Sequence, residues 1–119
     1  AYDGGANSYE GRDAIVGWLR EALDNTVMTL HQVHNPEIEL TSETTATGVW
    51  YLEDRVINRG EAAPEMPARS ILTGAAYYAD EYRKEGGEWK IARTGYERTY
   101  FDLRPYDEPT AFYSRWAAD

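Results

Sequence analysis

Beyond Asn25 the chain stops repeating every three to four residues and begins to alternate every two, in segments long enough to build one curved sheet. Before that point Ile15, Trp18, Leu19, Ala22 and Leu23 fall on one face of a helix, which predicts an amphipathic helix over residues 11–23. Asp13, near its start, suits the positive end of the helix dipole. After it, residues 27–33 alternate around His31, and Pro36 marks a break before a short strand at 38–41. Ser42, Glu43 and Thr44 form a polar turn, and residues 45–58, rich in Thr, Val, Trp and Tyr, predict a long strand. Gly60, Pro64 and Pro67 make 59–69 a loop. Two further strands, 71–83 and 88–100, are joined by a tight turn at Glu85, Gly86 and Gly87. The tail from Asp102 carries Pro105, Pro109 and the aromatics Tyr106, Phe112, Tyr113 and Trp116, and is expected to start as an arm and end as a short helix.

One helix followed by four or five long antiparallel strands gives an α+β domain in which a strongly curved sheet is closed on one side by helices. Curvature leaves a concave, cone-like face lined by alternate residues of each strand. With 119 residues, the chain has room for one domain with a real core and not for two. Its net charge of −9 argues against nucleic acid and anionic membrane surfaces, both of which require clustered Lys and Arg. Cysteine is absent, which removes disulfides, thiolate nucleophiles and thiolate metal sites. With no apolar run near the ~18 residues of a membrane span, the expectation is a soluble, cytoplasmic protein.

Ten Tyr and four Trp against two Phe favour aromatic rings with a polar handle. Such rings suit either a sheet face or the lining of an apolar pocket that offers a few hydrogen bonds. Three ionisable residues interrupt the apolar strand faces. His31 shares a face with Val27, Thr29 and Val33; Asp54 with Trp50, Leu52 and Val56; Arg98 with Tyr96 and Tyr100. Burying an unpaired charge is expensive, so each needs a partner or must end in water. Mutual pairing inside the concavity would satisfy all three and create an acid–base site, since neutral imidazole accepts a proton near pH 7. The alternative is a binding domain with ordinary polar residues at its strand ends. Trp50, Tyr78 and Tyr96 are the rings expected to touch a hydrophobic small molecule.

His34 lies three residues from His31, on the opposite strand face, so the two cannot readily clamp one metal ion and no metal site is expected. Gly4–Gly5 and Gly86–Gly87 are isolated pairs rather than a phosphate-binding loop, and no serine sits in a nucleophile elbow.

The phrases Met28-Thr-Leu-His31-Gln-Val-His-Asn-Pro-Glu-Ile38, Ser42-Glu-Thr-Thr-Ala-Thr-Gly-Val-Trp-Tyr-Leu-Glu-Asp-Arg55 and Gly95-Tyr-Glu-Arg98-Thr-Tyr100 resemble the bile acid 7α-dehydratase group. That group belongs to the SnoaL-like branch of the nuclear transport factor 2-like superfamily. The resemblance runs from about Gly11 to Tyr100 and fades in the tail. It implies a cone-shaped α+β (cystatin-like) fold and a cofactor-independent dehydratase acting on a steroid-like hydroxy-ketone. Position by position, His31 matches the histidine thought to act as base, Asp54 the pocket aspartate and Arg98 the arginine of a Gly-Tyr-x-Arg phrase. It also implies a homo-oligomer, trimer or dimer. The group opens with a helix that brings a Tyr and an Asp to the same site, whereas here Tyr2 and Asp3 fall in the following strand or loop. The expectation is therefore one SnoaL-like domain over residues 1–119 without that helix, as a fragment of a longer protein. Double-bond isomerisation and non-catalytic ligand binding stay open beside dehydration, because this fold hosts all three.

Overall fold

A computed structural model describes residues 1–63 and 66–115; Pro64, within the expected loop, and the expected helix at the end of the tail lie partly or wholly outside them. The elements are β1 (Tyr2–Asp3), a 3₁₀ turn (Gly5–Asn7), α1 (Arg12–Ala22), β2 (Val27–Leu40), β3 (Thr45–Asn58), β4 (Ser70–Glu85) and β5 (Glu88–Pro105). They form one mixed sheet in the order β1-β5-β4-β3-β2, with β1 parallel to β5 and every other pair antiparallel. The sheet is curved and does not close. The expected cone-shaped α+β architecture is present, with one helix and a short parallel edge strand.

Burial alternates along the middle of the central strands. Ala46, Gly48, Leu52 and Asp54 of β3 and Gly74, Ala76 and Asp80 of β4 are buried, while Thr47, Tyr51, Glu53, Arg55, Ala79 and Glu81 between them are exposed. The buried set lies on the concave side. Several of its members are Gly or Ala, whose small size lets the strands bend and lets long side chains from neighbouring strands lie across them. Cross-strand partners set this face out in rows: His31–Asp54–Gly74–Phe101, then Val33–Leu52–Ala76–Arg98, then Pro36–Trp50–Tyr78–Tyr96, then Ile38–Gly48–Asp80–Thr94–Tyr2.

Three expectations need correction. Pro36 does not end a strand: β2 runs through it, with a register shift between Val33 and Pro36 that absorbs the missing donor as an irregularity on an edge. β5 runs to Pro105, five residues beyond the expected end, because its pairing with β4 continues to Ser70↔Pro105. From Tyr106 to Arg115 the described tail is turns and irregular chain, and the short helix expected at its end falls on residues outside those described. Finally, helices do not close the concave side among the described residues. No residue of α1 is buried, and Leu19 and Leu23 of its apolar face are 39 % and 49 % exposed. Trp18 joins α1 to the chain before it by stacking on Tyr2 and Tyr9, with centroids 5.2 and 5.1 Å apart.

Two local devices hold the strand connections. Gly86 and Gly87, with φ of 58° and 84°, make the two-residue left-handed turn that matches the twist of the β4–β5 hairpin. Asn58, 3 % exposed, pins the 59–69 loop: its amide donates to the carbonyls of Glu61 (2.9 Å) and Pro67 (3.1 Å), and its oxygen accepts from the Gly60 N–H (3.0 Å). Asn58→Ala leaves three backbone groups to find water, and is expected to lower stability by about 2–3 kcal/mol in urea unfolding. The slope of the transition should stay unchanged.

Candidate active site

The sequence-derived residues His31, Asp54, Arg98, Trp50, Tyr78 and Tyr96 all lie on the concave face, within three adjacent rows. Asp54 is at its centre, with a side chain only 2 % exposed. Arg98 reaches it from β5 and donates twice, Nη1 to Oδ1 at 2.5 Å and Nη2 to Oδ2 at 2.9 Å. This forked geometry is the one in which guanidinium and carboxylate bind best. Burial on its own would lower the pKa of Arg98, but the bonds and charge of Asp54, together with the neighbouring Tyr96 and Tyr78, outweigh it and hold the value above the usual one. The guanidinium is further bracketed by the rings of Tyr96 (5.1 Å) and Phe101 (5.7 Å).

Two features outside the expected set aim Arg98. The β5 register skips Thr99, since Ala75 faces Tyr100 and Ala76 faces Arg98, so a bulge turns the strand here. It also moves Tyr100 to the convex side, where it is exposed, correcting the expectation that Tyr100 shares a face with Arg98. Gly74, opposite Asp54, supplies the space: a Cβ there would sit 2.6 Å from Arg98 Nη1 and 2.5 Å from the Tyr100 carbonyl. The run Thr73-Gly74-Ala75-Ala76 inside a long strand was the available sequence signal for such a close approach.

His31 is the direct cross-strand partner of Asp54, with Nε2 3.9 Å from Oδ2. That is ion-pair distance, not a hydrogen bond. Asp54 is thus paired by Arg98, and His31 stands beside the pair with a side chain 40 % exposed. All three residues meet, but they are not joined by one continuous chain of hydrogen bonds. His34 points to the other side of the sheet, as expected, and lies 3.9 Å from Glu53.

Tyr78 and Tyr96 stand two rows away, with ring centroids 5.9 Å apart. Burial pushes the Tyr96 phenol up to about 12, partly opposed by Arg98, and burial likewise raises Tyr78, helped by Tyr2 and Asp54. Both hydroxyls are therefore held as proton donors across the neutral range. The sign for stability follows: above the ordinary phenol value of 10.0, the unfolded chain loses these protons while the folded one keeps them. Stability should fall as pH rises from about 10 towards about 12, and Tyr96→Phe should flatten that slope in unfolding measured across the range.

Residues 1–95 match the profile of the SnoaL-like domain. The chain belongs to the SnoaL-like family. Its fold is that of the nuclear transport factor 2-like superfamily, and several solved structures share it. A type 2 hexachlorocyclohexane dehydrochlorinase (LinA) superposes with a TM-score of 0.71 at 19 % identity, over 92 % of this chain and 74 % of that one. The type 3 LinA dehydrochlorinase from Novosphingobium barchaimii gives 0.71 at 17 % identity, over 95 % and 72 %. A scytalone dehydratase-like protein from Novosphingobium aromaticivorans gives 0.66 at 23 % identity, over 92 % and 68 %. At these identities the likeness establishes the fold that the SnoaL-like chain shares with them.

Proposed function

We propose that this SnoaL-like protein is a cofactor-independent lyase, a dehydratase that eliminates water from a hydrophobic, steroid-like hydroxy-ketone by general acid–base catalysis. One observation carries the reading: a partly exposed histidine beside a buried, arginine-fixed carboxylate on a concave face that also carries the rings of Trp50, Tyr78, Tyr96 and Phe101. Two of the proteins sharing the fold are named for eliminations, a dehydrochlorinase and a dehydratase-like protein, which supports the same reaction class here. The phrases resembling bile acid 7α-dehydratases support the finer substrate assignment.

In this reading neutral His31 takes a proton from carbon acidified through the conjugated ketone. The C–H electron pair becomes the new C=C bond, and the C–O bond on the adjacent carbon breaks. With its Nε2 edge turned to Asp54, the imidazole offers the Nδ1 lone pair as base, and the carboxylate stabilises the imidazolium that forms. Hydroxide is a poor leaving group, so a proton must meet it; Tyr78, held protonated by burial, is the donor assigned to that step. Arg98 keeps Asp54 in place rather than reaching for an anionic substrate, since two of its N–H groups are already engaged.

The same reading carries a homo-oligomer, dimer or trimer, in a cytoplasmic setting; the exposed Ile38, Leu40, Ile91 and Tyr100 are side chains that a second copy would cover. No helix among the described residues is long and apolar enough to cross a membrane. A binding domain is the second reading, favoured by the openness of the face around His31. Mixing the protein with a hydroxylated 3-oxo-4-ene steroid separates them. Elimination extends the conjugation and raises absorbance at longer wavelength, whereas a binding domain leaves the spectrum of the steroid free of new dienone.

A further inference from the structure

A second polar cluster lies on the same concave face, one to two rows beyond the tyrosines, and the reaction described above does not use it. Asp80 is 8 % exposed. Its carboxylate accepts from the Tyr82 hydroxyl at 2.8 Å and from the Thr94 hydroxyl at 2.6 Å. Among the described residues no Lys, Arg or His comes within ion-pair distance of it, although Arg93 is adjacent to Thr94 and pairs outward with Asp3. A buried carboxylate satisfied only by hydroxyls is a costly way to fill space, so its retention points to what the hydroxyls are made to do.

Tyr82 relays the effect. Its single proton is committed to Asp80, so its oxygen is turned to accept, and it accepts from the indole Nε1–H of Trp50 at 2.6 Å. The ring reaches Trp50 by lying flat over Gly48, where a Cβ would stand 2.7 Å from Tyr82 Cε2 and 2.9 Å from its oxygen. Gly48 is therefore to Tyr82 what Gly74 is to Arg98. Trp50 is half-buried, on the face of Asp54 and in the row of Tyr78 and Tyr96. An indole held only by contacts can swing; one tied at Nε1 presents a fixed edge.

We infer that Asp80 and Tyr82 are positioning residues that lock the indole of Trp50 as a specificity-determining wall of the concave site. This rests on that face being a ligand site, and not on which reaction follows. Tyr82→Phe keeps the ring over Gly48 and removes the lock; Trp50→Phe removes the donor; the double variant completes a cycle. Binding of a neutral 3-oxo-4-ene steroid is measured by equilibrium titration for each, with kcat and KM alongside and urea unfolding to confirm folding. Tyr82→Phe is expected to weaken binding and raise KM about five- to tenfold with kcat within about twofold, the size of one lost hydrogen bond. Adding Trp50→Phe should then bring no further loss from Tyr82→Phe. Asp80→Asn, which perturbs the lock without touching Trp50, should weaken binding in the same direction. Additive losses, a Tyr82→Phe affinity within about twofold of the original, a fall confined to kcat, or no binding by any variant would each overturn the inference. Steroid binding with the expected coupling but without turnover would leave it standing and remove only the lyase reading.

Discussion

His31→Ala is expected to lower the rate of steroid elimination by roughly 10²–10⁴-fold, the usual contribution of a positioned general base, while leaving the fold intact. The fold should survive because His31 is 40 % exposed, lies on the edge strand β2 and makes no hydrogen bond with Asp54. His34→Ala is the matched control. His34 is equally close to a carboxylate, 3.9 Å from Glu53, but on the convex side, and its replacement should leave turnover nearly unchanged. Initial rates at saturating and limiting substrate measure both. Equal losses would mean that chemistry does not take place on the concave face.

Arg98→Met should have the largest effect on stability. It leaves Asp54, 2 % exposed, without the two N–H donors that pair it, and removes a guanidinium set between two rings. Breaking a buried ion pair from one side typically costs 3–5 kcal/mol, and because Arg98 is itself a quarter exposed the lower end applies, about 3 kcal/mol in urea unfolding. Asp54→Asn combined with Arg98→Met should recover part of that loss, because no uncompensated charge is then left inside. The double variant should still be slow in elimination, since the carboxylate that stabilises protonated His31 is gone. Recovery of stability without recovery of rate separates the structural role of the pair from its chemical one.

Much of the site was legible because strand alternation is a rigid rule. Once His31 and Asp54 were read into period-two segments, their faces were determined, and they emerge as direct cross-strand partners. Pairing was less legible. Arg98 joins Asp54 through a bulge at Thr99 and a gap at Gly74, and neither an inserted register step nor the absence of a side chain alters local hydrophobic periodicity. The same bulge sends Tyr100 to the other face, which a strict alternation count places wrongly. Pro36 misled for a related reason: proline argues against a paired central strand, but β2 is an edge strand with an irregular register at that point. Asp80 was invisible as part of a network because its partners Tyr82 and Thr94, and Trp50 bonded in turn to Tyr82, come from three strands and converge only when the sheet curves over Gly48. The helix was recognised from its periodicity, but periodicity carries no information about what covers its apolar face.

The mass of the product is the most direct test of His31-dependent elimination on this face. The protein and its His31→Ala variant are incubated, without added cofactor, with one hydroxylated 3-oxo-4-ene steroid, and the recovered steroid is weighed by mass spectrometry. The geometry around Asp54 predicts a product lighter by one water with the original protein and unchanged substrate with the variant. Unchanged mass with a shifted double bond would identify an isomerase. Unaltered steroid from the original protein, or equal water loss from both, would contradict elimination by His31.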